Sequence, residues 1–402
     1  MGKRINGGIT APRGFLAAGI SAGIKKNNAL DLALITSVTP GPIAGVFTKN
    51  KVPAAPVIHG RQQMKRGIGQ AILVNSGNAN AFTGKAGLDH ARQTSRLLAK
   101  ALGIAPHMAF IGSTGVIGVP LPMDAIATGI PVLVSQLSRK GYHSAAQAIM
   151  TTDTRPKEIA IRETIGGKMV TIGGIAKGSG MIHPDMATML GYLTTDAVIS
   201  RTILQRILKE VIRETFNCIS VDGETSTNDT VLCLANGHAD NASIRIGTPA
   251  YTQFKDLLFR VCHHLAMEIV RDGEGATKII EFQIHQAASQ ETAKQFANTL
   301  ATSPLVKTAI FGADPNWGRI VAALGRSGPS LNPEKIHISF DDIPIVHSGK
   351  GLGPKVEQRI KKLMQKSTLK ITVSLGQGQA RAHVWTTDLT YDYIKINASY
   401  RS

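Results

Sequence analysis

The chain has 402 residues, 43% of them hydrophobic and 18% charged, a globular composition with room for two domains. Its formal charge is +18, but aromatic residues make up only 5% and the cations are dispersed, which argues against a nucleic-acid partner bound through stacking. Three cysteines (Cys218, Cys233, Cys262) are too few and too far apart for a disulfide framework or a zinc site.

At the N-terminus, "MGKRINGGITAPRGFLAAGISAGIKK" lacks the uninterrupted apolar stretch of a secretory signal. Asn6 also stands where a myristoylation pattern needs Ser or Thr. No apolar run approaches the ~20 residues that span a bilayer. The expectation is a soluble, cytoplasmic protein with no membrane partner. Short apolar strands then alternate with glycine turns: "LALITSV" at 32–38, "AGVFTKN" at 44–50 and "AILVNSG" at 71–77. A helix is expected from about Leu88 to Leu102, then a strand, "MAFIGS", at 108–113. "GKMVTIGGIAKGSG" and "MLGYLTT" alternate like strands on either side of a glycine- and proline-bearing loop.

The clearest helix covers 201–216, where Ile203, Leu204, Ile207, Leu208, Val211 and Ile212 recur at helical spacing after Ser200 as N-cap. Another runs from about Tyr251 to Arg271 and stops at Asp272-Gly273. Beyond residue 280 come a helix near 291–302, a strand "VKTAIFG" and a loop "ADPNWGR". The strands "IHISFDD" and "PIVHSG", a basic helix at 354–366 and the strands "LKITVSL" and "ARAHVWT" follow. The class is mixed α/β, with layered sheets and helices. Residues 1–280 form the expected main domain, 281–385 a smaller α/β domain, and 386–402 a segment packing back on the body.

No dinucleotide or phosphate-binding loop is present, and "DGETSTND" (222–229) lacks the central glycine of a calcium loop and its terminal Glu at the required distance, so it reads as a polar turn. His263 and His264 are adjacent on a helix and point apart; no metal site is expected. What remains is a set of Gly/Ser/Thr/Asn loops at strand ends: "NSGNANAFTG" (75–84), "GSTGVIG" (112–118), "TTDTRPK" (151–157) and "KGSGMIHPDMATML" (177–190). Loops of this kind expose N–H groups and hydroxyls, which suits an oxyanion site, although ordinary turns have the same composition.

Together with "SVDGETSTNDT", "DGEGATK" and the terminal "INASYRS", these stretches resemble, in order and over essentially the whole chain, the ornithine acetyltransferase family, the glutamate N-acetyltransferases of arginine biosynthesis. The resemblance implies an α/β/β/α sandwich with a smaller second domain. It also implies self-cleavage between Ala187 and Thr188, into fragments that stay together and form an α2β2 assembly. It makes Thr188 the nucleophile, with its new α-amino group as base at a reference pKa of about 7.7–8.0. Thr114 and Gly115 become the oxyanion hole, and Thr154, Lys177, Glu274, Asn397 and Ser402 the substrate contacts. The implied reaction moves acetyl from N2-acetylornithine to Thr188 and then to glutamate, releasing ornithine and N-acetylglutamate. No cofactor is implied, though acetyl-CoA is a further acetyl donor for some members. Departures from the family pattern are Phe82 for a cysteine, Asp185 for an asparagine and Ser402 for a threonine. The rival reading is a self-cleaving aminopeptidase or amidohydrolase of similar layout.

Overall fold

The computed structural model describes residues 2–183 and 189–399. Asp185, Ala187, Thr188 and Ser402 lie outside the described residues. Nine strands form the first sheet: β1 (Lys3–Ile5), β2 (Phe15–Ile20), β3 (Leu32–Phe47), β4 (Ile68–Asn78), β5 (Ala109–Val116), β6 (Lys157–Ile165), β7 (Lys168–Lys177), β8 (Leu190–Thr195) and β9 (Thr230–Ala235). Their order is β1-β6-β7-β8-β9-β3-β4-β5, with β2 paired to β3.

The 16-residue β3 makes two layers out of this sheet. Its first half pairs with β2 and β4, its register then shifts between Thr36 and Gly41, and its second half pairs with β9. "LALITSV" and "AGVF", expected as two strands, are one bent strand. Gly41 sits where a Cβ would lie 1.8 Å from the Ala235 carbonyl oxygen, so only glycine allows that close approach.

Side-chain alternation fills three cores. Ala33, Ile35, Ile72, Val74, Ile175, Tyr192, Leu232 and Leu234 meet between the two sheet layers. From the same strands, Ile172, Leu193, Val231 and Cys233 face outward under α5 (Arg201–Glu214) and α6 (Pro249–Arg271). Leu32, Leu34, Ala71 and Leu73 face the other way, under α2 (Gly84–Leu102) and α3 (Met123–Ser135). The result is a four-layered α/β/β/α sandwich. Near-continuous apolar runs are what strands covered on both faces require. In α5, Ser200 accepts from the Ile203 N–H, and Leu204, Ile207, Leu208, Val211 and Ile212 are buried. Each such burial is worth about 1.5–3 kcal/mol relative to exposure. α1 (Ala55–Gln63) and α4 (Tyr142–Ala148) complete this part of the chain.

A second sheet begins with β10 (Ile279–Ala287) and continues with β11 (His337–Phe340), β12 (Ile343–His347), β13 (Lys350–Gly351), β14 (Thr368–Ser374) and β15 (Ala380–Thr387). Its order is β13-β12-β11-β14-β10-β15. It has its own core, with α7 (Gln290–Ala301), α9 (Trp317–Gly325) and α10 (Pro354–Leu363).

The "VKTAIFG" stretch is not a strand. It is α8 (Pro304–Phe311), with Pro at its start and Val306 and Ile310 buried one helical turn apart. "ADPNWGR" likewise runs into α9, capped by the Asn316 side chain accepting from the Arg319 N–H. Lys307 of α8 is buried at the seam with the first sheet and donates to the carbonyls of Val221 (2.7 Å) and Thr387 (2.6 Å) and to the Thr386 hydroxyl (3.1 Å). The last helix, α11 (Tyr391–Ser399), lies against residues 222 and 274 through Tyr393 and Asn397, and Thr390 just before it donates to the Gly275 carbonyl. Among the described residues, no helix is long and apolar enough to cross a membrane.

Candidate active site

The C-terminal ends of β5 and β7, the loops after β4, β5 and β7, the loops before β6 and β9, and α11 converge on one cleft. Its empty volume is about 570 Å³, open mouth included. Thr114, Gly115, Thr151, Thr152, Lys177, Asn228, Glu274 and Asn397 line it.

Gly115 must be glycine: its φ is +130°, and a Cβ would lie 2.4 Å from the Gly77 carbonyl carbon. The parallel β4–β5 pair shifts register at Gly77 and Asn78, beside Thr114 and Gly115, which stay in the ladder and line the cleft at its end. The Asn228 side-chain amide donates to the Ser113 carbonyl at 2.8 Å and the Ala79 carbonyl at 2.7 Å. It therefore fixes the residue before Thr114 and ties two of the small-residue loops together.

Lys177 ends β7 with its side chain buried. Its ammonium donates to the Thr151 hydroxyl at 2.7 Å and approaches the Thr114 hydroxyl at 3.4 Å. Burial lowers its pKa below the usual lysine value, against the opposing pull of Asp153. Asp153 accepts from the Lys157 ammonium at 2.6 Å, the Gly178 N–H at 2.7 Å and the Thr151 N–H at 3.0 Å. Burial works against the charge on Asp153, yet Lys177 and Lys157 outweigh it and hold the carboxyl at about 2. Lys157 also meets Asp272 at 2.6 Å, so two carboxylates and two ammoniums share a dry floor beneath the cleft. Such groups are tolerated inside a protein only when paired.

Glu274 faces Lys177 across the site and accepts from the Asn397 side-chain amide at 2.8 Å. Gly180 makes room for it, since a Cβ there would lie 2.3 Å from Glu274 Oε2. Asp229 is buried at the head of β9 and accepts the Met189 N–H at 3.0 Å. Burial raises its pKa well above the carboxylate range.

Of the residues singled out from sequence, Thr114, Gly115, Lys177, Glu274 and Asn397 line this cleft together. Thr154 does not: it gives its N–H (3.0 Å) and its hydroxyl to Asp272, and Thr151 and Thr152 of the same loop take the cleft wall. Thr188, Ala187 and Ser402 lie outside the described residues. Thr188 precedes Leu190 by two positions, and Leu190 pairs directly with Lys177. Phe82, noted as a departure, is exposed at φ +55° and away from the cleft. The sequence reading passed over Asp153, Lys157, Asp222, Asn228, Asp229 and Asp272. Asp153 was visible inside "TTDT", but nothing in the spacing brings Lys157 or Asp272 to it. Among the described residues, no group of His, Cys, Asp and Glu could hold a metal ion.

The sequence profile of the ArgJ family matches residues 16–402. An arginine biosynthesis bifunctional protein from Symbiobacterium thermophilum is 50% identical over 398 residues, covering 98% of this chain and 99% of the relative. One from Geobacter sulfurreducens is 47% identical over 390 residues, covering 97% and 99%. The crystal structure of an arginine biosynthesis bifunctional protein from Bacillus halodurans is 42% identical with a TM-score of 0.50, covering 52% of this chain and 98% of that one. The match runs nearly end to end, the motifs that carried the resemblance lie within it, and the chain belongs to the ArgJ family.

Proposed function

We propose that the chain is an acetyltransferase of arginine biosynthesis that cuts itself between Ala187 and Thr188 and then moves acetyl from N2-acetylornithine to glutamate through an acetyl-Thr188 ester. The observation that carries this reading is the junction of Thr114, Gly115, Lys177, Glu274 and Asn397 in one cleft, at the strand that begins two residues after Thr188.

In the cut, the Thr188 hydroxyl attacks the Ala187 carbonyl carbon. The C–O bond forms, the C–N bond breaks, and the proton passes to the nitrogen of residue 188. Water then hydrolyses the ester, leaving the Ala187 carboxylate and a free Thr188 with an α-amino group. That amine serves as general base near neutral pH.

Each half of the transfer then passes through a tetrahedral oxyanion. Thr114 and Gly115 are its donors, and losing one such donor typically costs about 3–4 kcal/mol in the barrier. Lys177 faces the α-carboxylate common to acetylornithine and glutamate. Glu274 meets the side-chain ammonium of ornithine, with Asn397 holding the carboxylate in place. Thr154 supports the wall through Asp272, and Ser402 is a further substrate contact. The relatives' bifunctional name favours acetyl-CoA as a second acetyl donor to glutamate. No cofactor takes part. Residues 1–280 act as the catalytic domain and 281–385 as a smaller companion, and the two fragments pair into α2β2 in the cytoplasm.

Mass spectrometry and N-terminal sequencing test the reading. Wild-type protein is expected as two fragments, one beginning at Thr188, and Thr188→Ala as one uncut chain. With acetyl-labelled N2-acetylornithine and glutamate supplied together, the label is expected on glutamate; release as free acetate would point to a hydrolase instead.

A further inference from the structure

The loop 222–229, which its sequence suggests is only a polar turn, holds both flanks of the proposed cut. Upstream, Asp222 Oδ2 accepts the Met181 N–H at 2.6 Å and Asp222 Oδ1 accepts the Ile182 N–H at 2.9 Å. The Ile182 carbonyl in turn accepts the Val221 N–H and the Ser220 hydroxyl, each at 2.9 Å. Met181 has φ +58°, the left-handed region a side chain seldom adopts, so its backbone is fixed by these bonds rather than by its own preference. Downstream, Asp229 Oδ1 accepts the Met189 N–H at 3.0 Å, and the Met189 carbonyl accepts the Thr230 N–H at 3.1 Å. Ile182 and Met189 are both buried. Between the two carboxylates sits Asn228, which anchors the loop to the carbonyl before Thr114.

We propose that Asp222 and Asp229 are positioning residues for self-cleavage, a two-point clamp that fixes the chain on either side of the Ala187–Thr188 bond relative to Thr114 and Gly115. This deepens the acetyltransferase reading and rests on it. An attack of a hydroxyl on the carbonyl beside it needs the two groups about 3–3.5 Å apart and aligned, and a misplacement of 1 Å is enough to slow it by about a hundredfold. One anchor is at Ile182 and the other at Met189, one on each side of the proposed cut.

The two anchors differ in a way that can be tested. Asp222 uses both oxygens to accept backbone N–H groups, and the Tyr393 hydroxyl adds a contact to Oδ2 at 3.3 Å. Asparagine offers one acceptor oxygen, so its NH2 would face a backbone N–H. Asp229 uses one oxygen for Met189; its other oxygen meets no hydrogen bond of standard geometry among the described residues, although the Thr48 side chain lies close enough to favour its charged form. An asparagine keeps that single acceptor, and as a neutral group it suits the buried position.

The isosteric pair Asp222→Asn and Asp229→Asn, with Asp229→Ala, decides the matter when the uncut fraction is followed over time on denaturing gels. Near-UV circular dichroism reports whether each uncut chain is folded. We expect Asp229→Asn to cut within about threefold of wild type, and Asp222→Asn and Asp229→Ala to cut at least about tenfold more slowly. Equal rates for Asp222→Asn and Asp229→Asn would overturn the clamp, as would Asp229→Ala cutting as fast as Asp229→Asn. Should Asp222→Asn fail to fold, the comparison at residue 229 alone still decides. A wild-type chain that never cuts defeats the acetyltransferase reading itself, whereas a wild type that cuts beside variants of equal rate defeats only the clamp.

Discussion

Asp153 is the residue on which the electrostatics of the cleft turn. It holds Lys157, lies 3.9 Å from Lys177, and caps the turn at Gly178. Its folded carboxyl, near 2, lies below its ordinary value of 3.8, so it adds stability above about pH 4 that is lost as pH falls towards 2. Asp153→Asn leaves two buried ammoniums short of an anion. A loss of roughly 3–5 kcal/mol in urea unfolding is expected, the usual cost of breaking a buried pair from one side. Glu274 carries a prediction of a different kind. Glu274→Gln keeps an acceptor for the Asn397 amide but removes the charge that ornithine's ammonium would meet. Steady-state kinetics should show KM for acetylornithine rising by about tenfold, equivalent to about 1.4 kcal/mol, with KM for glutamate nearly unchanged. At this scale the sequence was informative wherever chemistry sat inside a short motif, as for Thr114, Lys177 and Glu274. It was silent where the partner came from afar: Lys157 and Asp272 are 115 residues apart, and only the folded chain puts their charges 2.6 Å from each other.

Among the elements, α8 shows how local pattern misleads. "VKTAIFG" has the β-branched and aromatic residues of a strand, yet Pro304 at its first turn and the burial of Val306 and Ile310 make it a helix. Lys307 breaks any simple alternation, because its charge is buried and satisfied by carbonyls from outside its own element. Burial drags its pKa from 10.5 to about 7, against Asp222 and Asp388. The unfolded chain therefore keeps this proton to higher pH than the folded one. Stability from this group is flat below about pH 7 and rises as pH climbs towards 10.5. Thermal melts across that range should show the rise in the wild type, and Lys307→Met should lose it. The helices α5 and α6 were legible because their apolar stripes repeat at 3.6 residues and end in recognisable caps, whereas α9 was hidden behind a Pro-Asn-Trp-Gly run that reads as loop.

On the scale of the whole molecule, strand order matters more than any one contact. β8 and β9, which follow residue 188, are inserted between β7 and β3, which precede it. Ile172 and Leu193, from opposite sides of that point, pack in the same core. The sequence could suggest alternating layers but not this interleaving, because strand order is set by long-range pairing that periodicity does not encode. Fragments produced by a cut at 187–188 should thus co-migrate in gel filtration under native conditions and separate only in denaturant.

The same interleaving sets a one-way order on maturation. Neither piece can complete its central sheet alone, so the polypeptide has to reach its native shape while still continuous. Once divided and denatured, it can return only when two separate strands of polypeptide find each other. Renaturation of uncut Thr188→Ala should then proceed at a rate independent of dilution, while that of processed enzyme should slow in proportion as the solution is thinned, a difference readable by stopped-flow fluorescence.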